Sequence, residues 1–269
     1  MMRGEWSAIR DGQELPQHGM VYLVGAGPGD PELITLKGLH CLRRADVVLY
    51  DRLISPTLLD EVGPGAERVF VGKGSNCHAM TQEEINTLLI TRAQQSRIVV
   101  RLKGGDPFIF GRGGEEALAL TKAGVPFEVV PGVSSALAVP AYAGIPVTHR
   151  DYASSVPIVT GHEGHAHASP AVNWEALATL GGTLVILMGV KALPHLTQRL
   201  IASGLDASMP AAVIQEGTTP RQCVVKGTLA DIAKRALDAG LSPPAVTVIG
   251  TVVSLGEALT WWPNTLEHG

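Results

Sequence analysis

The stretch from Val100 to Glu116, Val-Arg-Leu-Lys-Gly-Gly-Asp-Pro-Phe-Ile-Phe-Gly-Arg-Gly-Gly-Glu-Glu, limits the fold of this chain more than any other. A β-branched run over residues 98–102 ends at Lys103 and opens into Gly104-Gly105-Asp106-Pro107, and the helix-forming Glu115-Glu116-Ala117-Leu118-Ala119-Leu120 follows. Strand, glycine turn and helix in that order is how an α/β sheet offers backbone amides to a ligand at its carboxyl edge. Paired glycines let a ligand approach the main chain closely, and the Asp106 carboxylate is able to accept from a hydroxyl or an amine. Arg112 and Glu115, set among Gly111, Gly113 and Gly114, add a charged pair to the same rim. Taken singly, each of these residues also reads as part of a solvated glycine turn. Their concentration directly after an apolar strand marks a site.

A second unit of this kind lies near the N-terminus. The apolar Met20-Val-Tyr-Leu-Val24 is broken by Gly25-Ala-Gly-Pro-Gly-Asp-Pro31, after which the pattern predicts a helix with Asp30 as N-cap and Pro31 at its first position. Leu33, Leu36, Leu39 and Leu42 form its apolar side. A dinucleotide fingerprint fails here, because the third glycine is replaced by Asp30 and Pro28 removes an amide donor from the turn. A carboxylate where a pyrophosphate would sit is repulsive. With no G-x-x-x-x-G-K-[ST] loop either, a ligand without phosphates fits both turns better than NAD, FAD or a nucleoside triphosphate.

The 269 residues suffice for two modest α/β domains, with a core built from Leu, Val, Ile and Ala because aromatics are only 4%. Strand-like and helix-like segments alternate throughout, which predicts a mostly parallel sheet in the first half. In the second half residues 211–215 and 222–227 flank Glu216-Gly-Thr-Thr-Pro-Arg221 as a hairpin, so a mixed sheet is expected there. The expected organisation is a loose extension over 1–18, an N-terminal α/β domain over 19–133 and a C-terminal α/β domain over 134–264. A net charge of -4 gives no global drive toward nucleic acid or membrane. No apolar run reaches the roughly 18 residues of a membrane span, and residues 1–18 lack a signal-like core. Three distant cysteines, Cys41, Cys77 and Cys223, suit a reducing cytoplasm rather than a disulfide scaffold or a zinc site.

With these loops located, the chain resembles the uroporphyrinogen-III C-methyltransferases of the tetrapyrrole methylase family, enzymes dependent on S-adenosylmethionine. The likeness runs from about residue 20 to about residue 255. It rests on Val24-Gly-Ala-Gly-Pro-Gly-Asp-Pro31, Tyr50-Asp-Arg-Leu-Ile-Ser55, Val71-Gly-Lys-Gly74, the 100–116 segment and Val130-Pro-Gly-Val-Ser-Ser135. Pro140-Ala-Tyr-Ala-Gly-Ile-Pro-Val-Thr-His-Arg150 and Thr160-Gly-His162 continue it. It departs from the family pattern in the His-rich stretch 162–167 and at Asn173, where an Asp before Trp174 is common. The resemblance implies two α/β domains with the active-site cleft between them, a homodimer, and two successive methylations that convert uroporphyrinogen III to precorrin-2. Sirohaem, cobalamin and haem d1 biosynthesis all begin with that step.

By the same resemblance, Pro28, Gly104, Gly105, Asp106, Ile109, Ser134, Ser135, Met188 and Gly217 line the cofactor pocket, with Ala245 and Thr247 on the last strand. Met188 reads equally as a core residue at a strand end, and Ser134 and Ser135 as a helix N-cap pair. The substrate carries eight carboxylates, for which the arginine fork is the natural partner. Arg52, Arg112 and Arg150 on predicted loops are the candidates, with His162 beside them. A proton must leave the macrocycle after methyl transfer. The family assigns proton acceptor and donor to Asp51 and Lys73, and Arg112 with Glu115 is a rival pair on the strongest motif. The sequence leaves both open. His162-Glu-Gly-His165-Ala-His167 lacks the zincin spacing, so no metal is expected. Two other classes stand beside this reading. One is a methylase of the same fold acting on a later corrin precursor, ribosomal RNA or a protein; the other is a nicotinamide-dependent dehydrogenase. The small-residue stretch 133–145 is a candidate dimer contact, with inter-domain core as the alternative reading.

Overall fold

The computed structural model describes residues 19–72, 80–95, 97–162 and 172–262, together with the backbone of 266–267. The chain forms two units, one comprising Ile34–Gly132 with the described residues up to Ala26, the other Gly27–Leu33 with Val133 onward.

The first unit runs β1 (Met20–Gly25), α1 (Leu36–Arg43), β2 (Val47–Tyr50), α2 (Pro56–Asp60), β3 (Glu67–Phe70), α3 (Gln82–Gln94), β4 (Ile98–Lys103), α4 (Gly113–Lys122) and β5 (Phe127–Val130). Its five strands lie in the order β3-β2-β4-β1-β5, all parallel. Alternation along the strands turns Leu23, Leu49 and Val99 toward Ile85 and Leu89 of α3 and Leu120 of α4. Val24, Val48, Val100 and Leu102 face Leu42 of α1 and Leu58 of α2. A parallel sheet covered on both faces needs near-continuous apolar strands, which is why β2 and the start of β4 carry no polar alternation. A capping box opens α3: Thr81 Oγ1 accepts from Glu84 N at 3.2 Å, and the Glu84 carboxylate accepts from Thr81 N at 2.6 Å.

The second unit contains α5 (Ser135–Tyr142), β6 (Ile158–Thr160), α6 (Trp174–Leu180), β7 (Leu184–Leu187), α7 (Leu193–Ala202), β8 (Pro210–Gln215), β9 (Cys223–Thr228), α8 (Ile232–Asp238), β10 (Ala245–Ile249) and β11 (Leu266–Glu267). The sheet order is β11-β9-β8-β10-β7-β6. β8 and β9 pair antiparallel, β10 is antiparallel to both neighbours, and β6 is parallel to β7, so this sheet is mixed as expected. One face packs on Ala136 and Val139 of α5, the other on Trp174, Leu196, Leu200 and Ile232. Asn173 takes over the capping task of the more usual aspartate, its Oδ1 accepting from Ala176 N at 2.9 Å.

Three expectations are corrected. No α-helix starts at Pro31: residues Pro31–Leu33 make one 3-10 turn, and α1 begins at Leu36 with Thr35 Oγ1 accepting from Gly38 N at 3.0 Å. Asp30 Oδ1 caps only the short turn, through Glu32 N at 2.9 Å, and Leu36 is 77% exposed instead of lying on an apolar face. Residues 27–33 also group with the second unit, although the sequence assigns them to the first domain. Finally, most of the small-residue stretch 133–145 is core of the second unit: Ala136 and Ile145 are fully buried, and Leu137 at 47% is its exposed large apolar side chain.

Candidate active site

At the carboxyl ends of β4, β1 and β5 three backbones approach as closely as backbones can. A Cβ on Gly25 would lie 2.5 Å from Gly132 N and 2.6 Å from Gly105 O, and one on Gly132 would lie 2.3 Å from Gly105 O. Gly105 also has φ 67, open to glycine at little cost. The result is an edge of bare peptide groups beside Asp106, whose Oδ1 accepts from Phe108 N at 2.8 Å and Oδ2 from Gly132 N at 3.0 Å. Each carboxylate oxygen keeps a further lone pair for a ligand. Gly132→Ala must push main chain aside, and an overpacking loss of about 1–3 kcal/mol is expected by denaturant titration. Wild-type stability in that variant would contradict the close approach.

Beyond Asp106 the loop carries Phe108, Ile109 and Phe110, exposed at 55%, 40% and 43%. Arg112 is the N-cap of α4 with φ 61, and its fork grips Glu115: Nε donates to Oε1 at 2.9 Å and the terminal nitrogen to Oε2 at 2.7 Å. That bond holds Glu115 below the usual carboxylate range and Arg112 above the usual guanidinium range. A carboxylate tied in this way is a poor proton acceptor, so the pair suits anchoring better than base catalysis.

Asp51 and Arg52 follow β2. With Leu53 and Gly72 they line an open hollow of about 350 Å³. Asp51 Oδ1 accepts from Leu53 N at 3.0 Å, and Oδ2 lies 3.7 Å from a terminal nitrogen of Arg101. Lys73 follows Gly72 in the chain and lies outside the described residues.

Arg101 belongs to a buried charge cluster that the sequence reading did not anticipate. Glu116 Oε1 accepts from Arg101 Nε at 3.1 Å, from Lys103 Nζ at 3.1 Å and from Gln82 Nε2 at 3.3 Å, while Glu116 itself is fully buried. Arg101 also donates to the carbonyls of Leu49 and Leu102. Burial, then Arg101 beside it, pulls the Lys103 ammonium below the usual lysine range against the opposing pull of Glu116. The signal was present: charges at 101 and 103 in an apolar strand share one face and demand a counter-ion. Glu116, in the first turn of the following helix, supplies it.

The second unit holds the remaining candidates. A Cβ on Gly161 would lie 2.4 Å from Gly189 Cα, so the ends of β6 and β7 touch, and each carries a candidate next to that contact. His162 is exposed and donates its amide to Thr160 Oγ1 at 3.1 Å. Met188 is 55% exposed with φ 57, which overturns its reading as a core residue. Gly217 sits between Glu216 (φ 46) and Thr218 (φ 67), and a Cβ on it would meet Val139 Cγ1 at 2.4 Å. Ser134 Oγ caps α5 by accepting from Ala136 N at 3.3 Å, and Ser135 is the first residue of that helix. The Pro28 carbonyl accepts from the Thr218 hydroxyl. Ala245 starts β10 opposite Gln215, whereas Thr247, 1% exposed, lies between Ile186 and Val213 in the sheet. Arg150 is exposed in the loop where His149 Nδ1 accepts from Asp151 N at 3.1 Å. His165 and His167 lie outside the described residues, among which no group of three or more His, Cys, Asp and Glu is arranged to hold a metal.

Among the described residues the non-glycine positions with positive φ are Phe110, Arg112, Met188, Glu216 and Thr218. All five fall in the candidate loops. Backbone held in a sparsely populated region costs on the order of 1–3 kcal/mol and concentrates at functional sites.

A family profile described as Tetrapyrrole (Corrin/Porphyrin) Methylases matches residues 20–233. A siroheme synthase of Thiobacillus denitrificans is 51% identical over 247 residues, 92% of this chain and 51% of that protein. The chain thus spans about half the length of the siroheme synthases it matches. An S-adenosyl-L-methionine-dependent uroporphyrinogen III methyltransferase of Methanosarcina barkeri is 51% identical over 242 residues, 90% of this chain and 95% of that protein. Among solved structures, a uroporphyrin-III C-methyl transferase of Thermus thermophilus complexed with S-adenosyl homocysteine superposes with a TM-score of 0.76 at 42% identity, covering 88% of this chain and 100% of that one.

Proposed function

Because this chain belongs to the tetrapyrrole (corrin/porphyrin) methylase family, we propose that it is an S-adenosylmethionine-dependent C-methyltransferase. It converts uroporphyrinogen III to precorrin-2 by two methylations, in the sirohaem pathway. The observation that carries this reading is the 51% identity to the Methanosarcina enzyme across nearly the full length of both chains. The geometry agrees. The strap over residues 27–33 has a proline at 28 and a carboxylate at 30, which disfavours a pyrophosphate, and the Gly25–Gly105–Gly132 edge lets a phosphate-free adenosyl and amino-acid ligand approach the main chain.

Gly104, Gly105, Asp106 and Ile109 of the first unit, with Pro28, Ser134, Ser135, Met188, Gly217, Ala245 and Thr247 of the second, are the residues assigned to the cofactor. When bound it supplies an electrophilic methyl group for an electron-rich pyrrole carbon. Alignment of the reactants provides much of the rate in such a displacement, with little covalent chemistry from the protein. Arg52, Arg112 and Arg150, all exposed and on loops, hold substrate carboxylates, and His162 assists. Asp51 takes the proton that the macrocycle must lose, and Lys73 acts as donor. What favours Asp51 over Glu115 is its place on an open hollow, 3.7 Å from a guanidinium nitrogen of Arg101, while Glu115 is tied up at hydrogen-bond distance by the Arg112 fork. We also propose a cytoplasmic homodimer.

Calorimetry tests the cofactor assignment. S-adenosylhomocysteine is expected to bind tightly and NAD not at all, and Gly105→Val should abolish binding, since a β-branched residue cannot adopt φ 67 without strain. Equal heats for wild type and variant would remove this turn from the site. Uroporphyrinogen III should turn over in preference to precorrin-4. Light scattering should give about twice the 28.2 kDa chain mass, and a monomer mass at micromolar concentration would contradict the dimer.

A further inference from the structure

Three segments that carry assigned cofactor residues in the second unit are tied together by side chains that are not themselves among those residues. Asp30 N donates to Thr218 Oγ1 at 3.1 Å, and Thr218 N donates to Gln222 Oε1 at 2.9 Å. Gln222 Nε2 donates to the Tyr142 carbonyl at 3.0 Å, and the Tyr142 hydroxyl donates to Asp30 Oδ2 at 2.8 Å. The bonds close into a ring. It joins the strap of Pro28, the turn of Gly217 and the far end of α5, whose first turn holds Ser135. Gln222 is fully buried and Thr218 2% exposed, so the bond between them is made out of water, where leaving it unmade is costly, while the other three are partly buried. Thr218 is β-branched yet has φ 67, a conformation that persists only when its surroundings over-determine it. The ring supplies that constraint, since Thr218 is held through its amide and its hydroxyl, the latter also donating to the Pro28 carbonyl. Burial first, then Asp30, pushes the Tyr142 phenol up to about 12, so it stays a donor at working pH.

We propose that the Asp30–Tyr142–Gln222–Thr218 ring pre-organises the cofactor site, with Tyr142 and Gln222 as positioning residues that act on the ligand through Pro28 and Gly217. This rests on the cofactor reading above. A loop already ordered in its bound form spares the ligand the ordering cost, so the ring acts on affinity more than on the chemical step.

The test is calorimetry with S-adenosylhomocysteine, alongside steady-state kinetics, on Tyr142→Phe, Asp30→Ala, Asp30→Asn and the double variant Tyr142→Phe/Asp30→Ala. Loss of one bond to a charged acceptor predicts roughly tenfold weaker binding for Tyr142→Phe and for Asp30→Ala. The double variant should be within about twofold of Asp30→Ala alone, because that variant has already broken the Tyr142–Asp30 bond along with the Glu32 N contact. Asp30→Asn, which still accepts from the phenol, should bind within about threefold of wild type. The KM for S-adenosylmethionine should rise more than kcat falls, a split that a mere loss of folded protein would not produce. Unchanged affinity in Tyr142→Phe, additive losses in the double variant, or a fall in kcat with KM unmoved would each overturn the ring's role. Absence of binding in wild type would overturn the cofactor reading itself, and the ring's role with it.

Discussion

Asp51→Asn is expected to lower methylation turnover by about two to four orders of magnitude, the usual loss when a general base is removed, with S-adenosylhomocysteine affinity nearly unchanged. The substitution keeps the shape and the acceptor for Leu53 N but removes the basic oxygen facing the hollow. Arg112→Ala is the matched control. If the fork is a substrate anchor, its loss should appear mainly in the KM for the tetrapyrrole, with Arg112→Lys a poor rescue because an ammonium cannot make the bidentate contact. Near-wild-type turnover in Asp51→Asn, with a collapse in Arg112→Ala or Glu115→Gln, would transfer the proton step to the rival pair.

The largest stability effect is expected at Glu116. Its fully buried carboxylate is shared by two buried cations, and its Oε2 has no hydrogen-bond partner among the described residues. Glu116→Ala leaves Lys103 without its carboxylate partner and Arg101 with only Asp51, 3.7 Å away, and breaking a buried pair in this way costs about 3–5 kcal/mol. Arg43 and Glu61 are closer, at 2.6 Å, yet their side chains are 52% and 40% exposed, and Arg43→Ala should cost about 0–1 kcal/mol. Burial therefore decides the ranking, not distance. Urea titration of both variants checks it. Should Glu116→Ala not fold, Glu116→Gln with Lys103→Met removes one charge of each sign and should recover much of the loss. Equal stabilities for the Glu116 and Arg43 variants would contradict the account.

Much of the framework was legible because local signals and tertiary need coincide there. The glycine turn after β4, the Thr81 capping box and the β8–β9 hairpin all follow local rules that packing reinforces. The strap misleads those rules. Asp30-Pro31 is a sound helix start, but its carboxylate goes to Tyr142 and its amide to Thr218, so the helix waits for Thr35. Neither bond is readable from sequence, at separations of 112 and 188 residues. Met188, Glu216 and Thr218 hide their left-handed backbone because none is glycine. The pairing of Arg101 and Lys103 with Glu116 was readable in principle, since two charges on one face of a buried strand need an opposite charge nearby.

The central claim is methyl transfer to carbon, and isotope labelling tests it most directly. Uroporphyrinogen III labelled with 13C in its ring carbons and incubated anaerobically with methyl-13C S-adenosylmethionine should gain two labelled methyl groups, with one-bond carbon–carbon coupling visible by NMR between each label and a saturated ring carbon. Product lacking the label, or label on oxygen or nitrogen, would contradict the account.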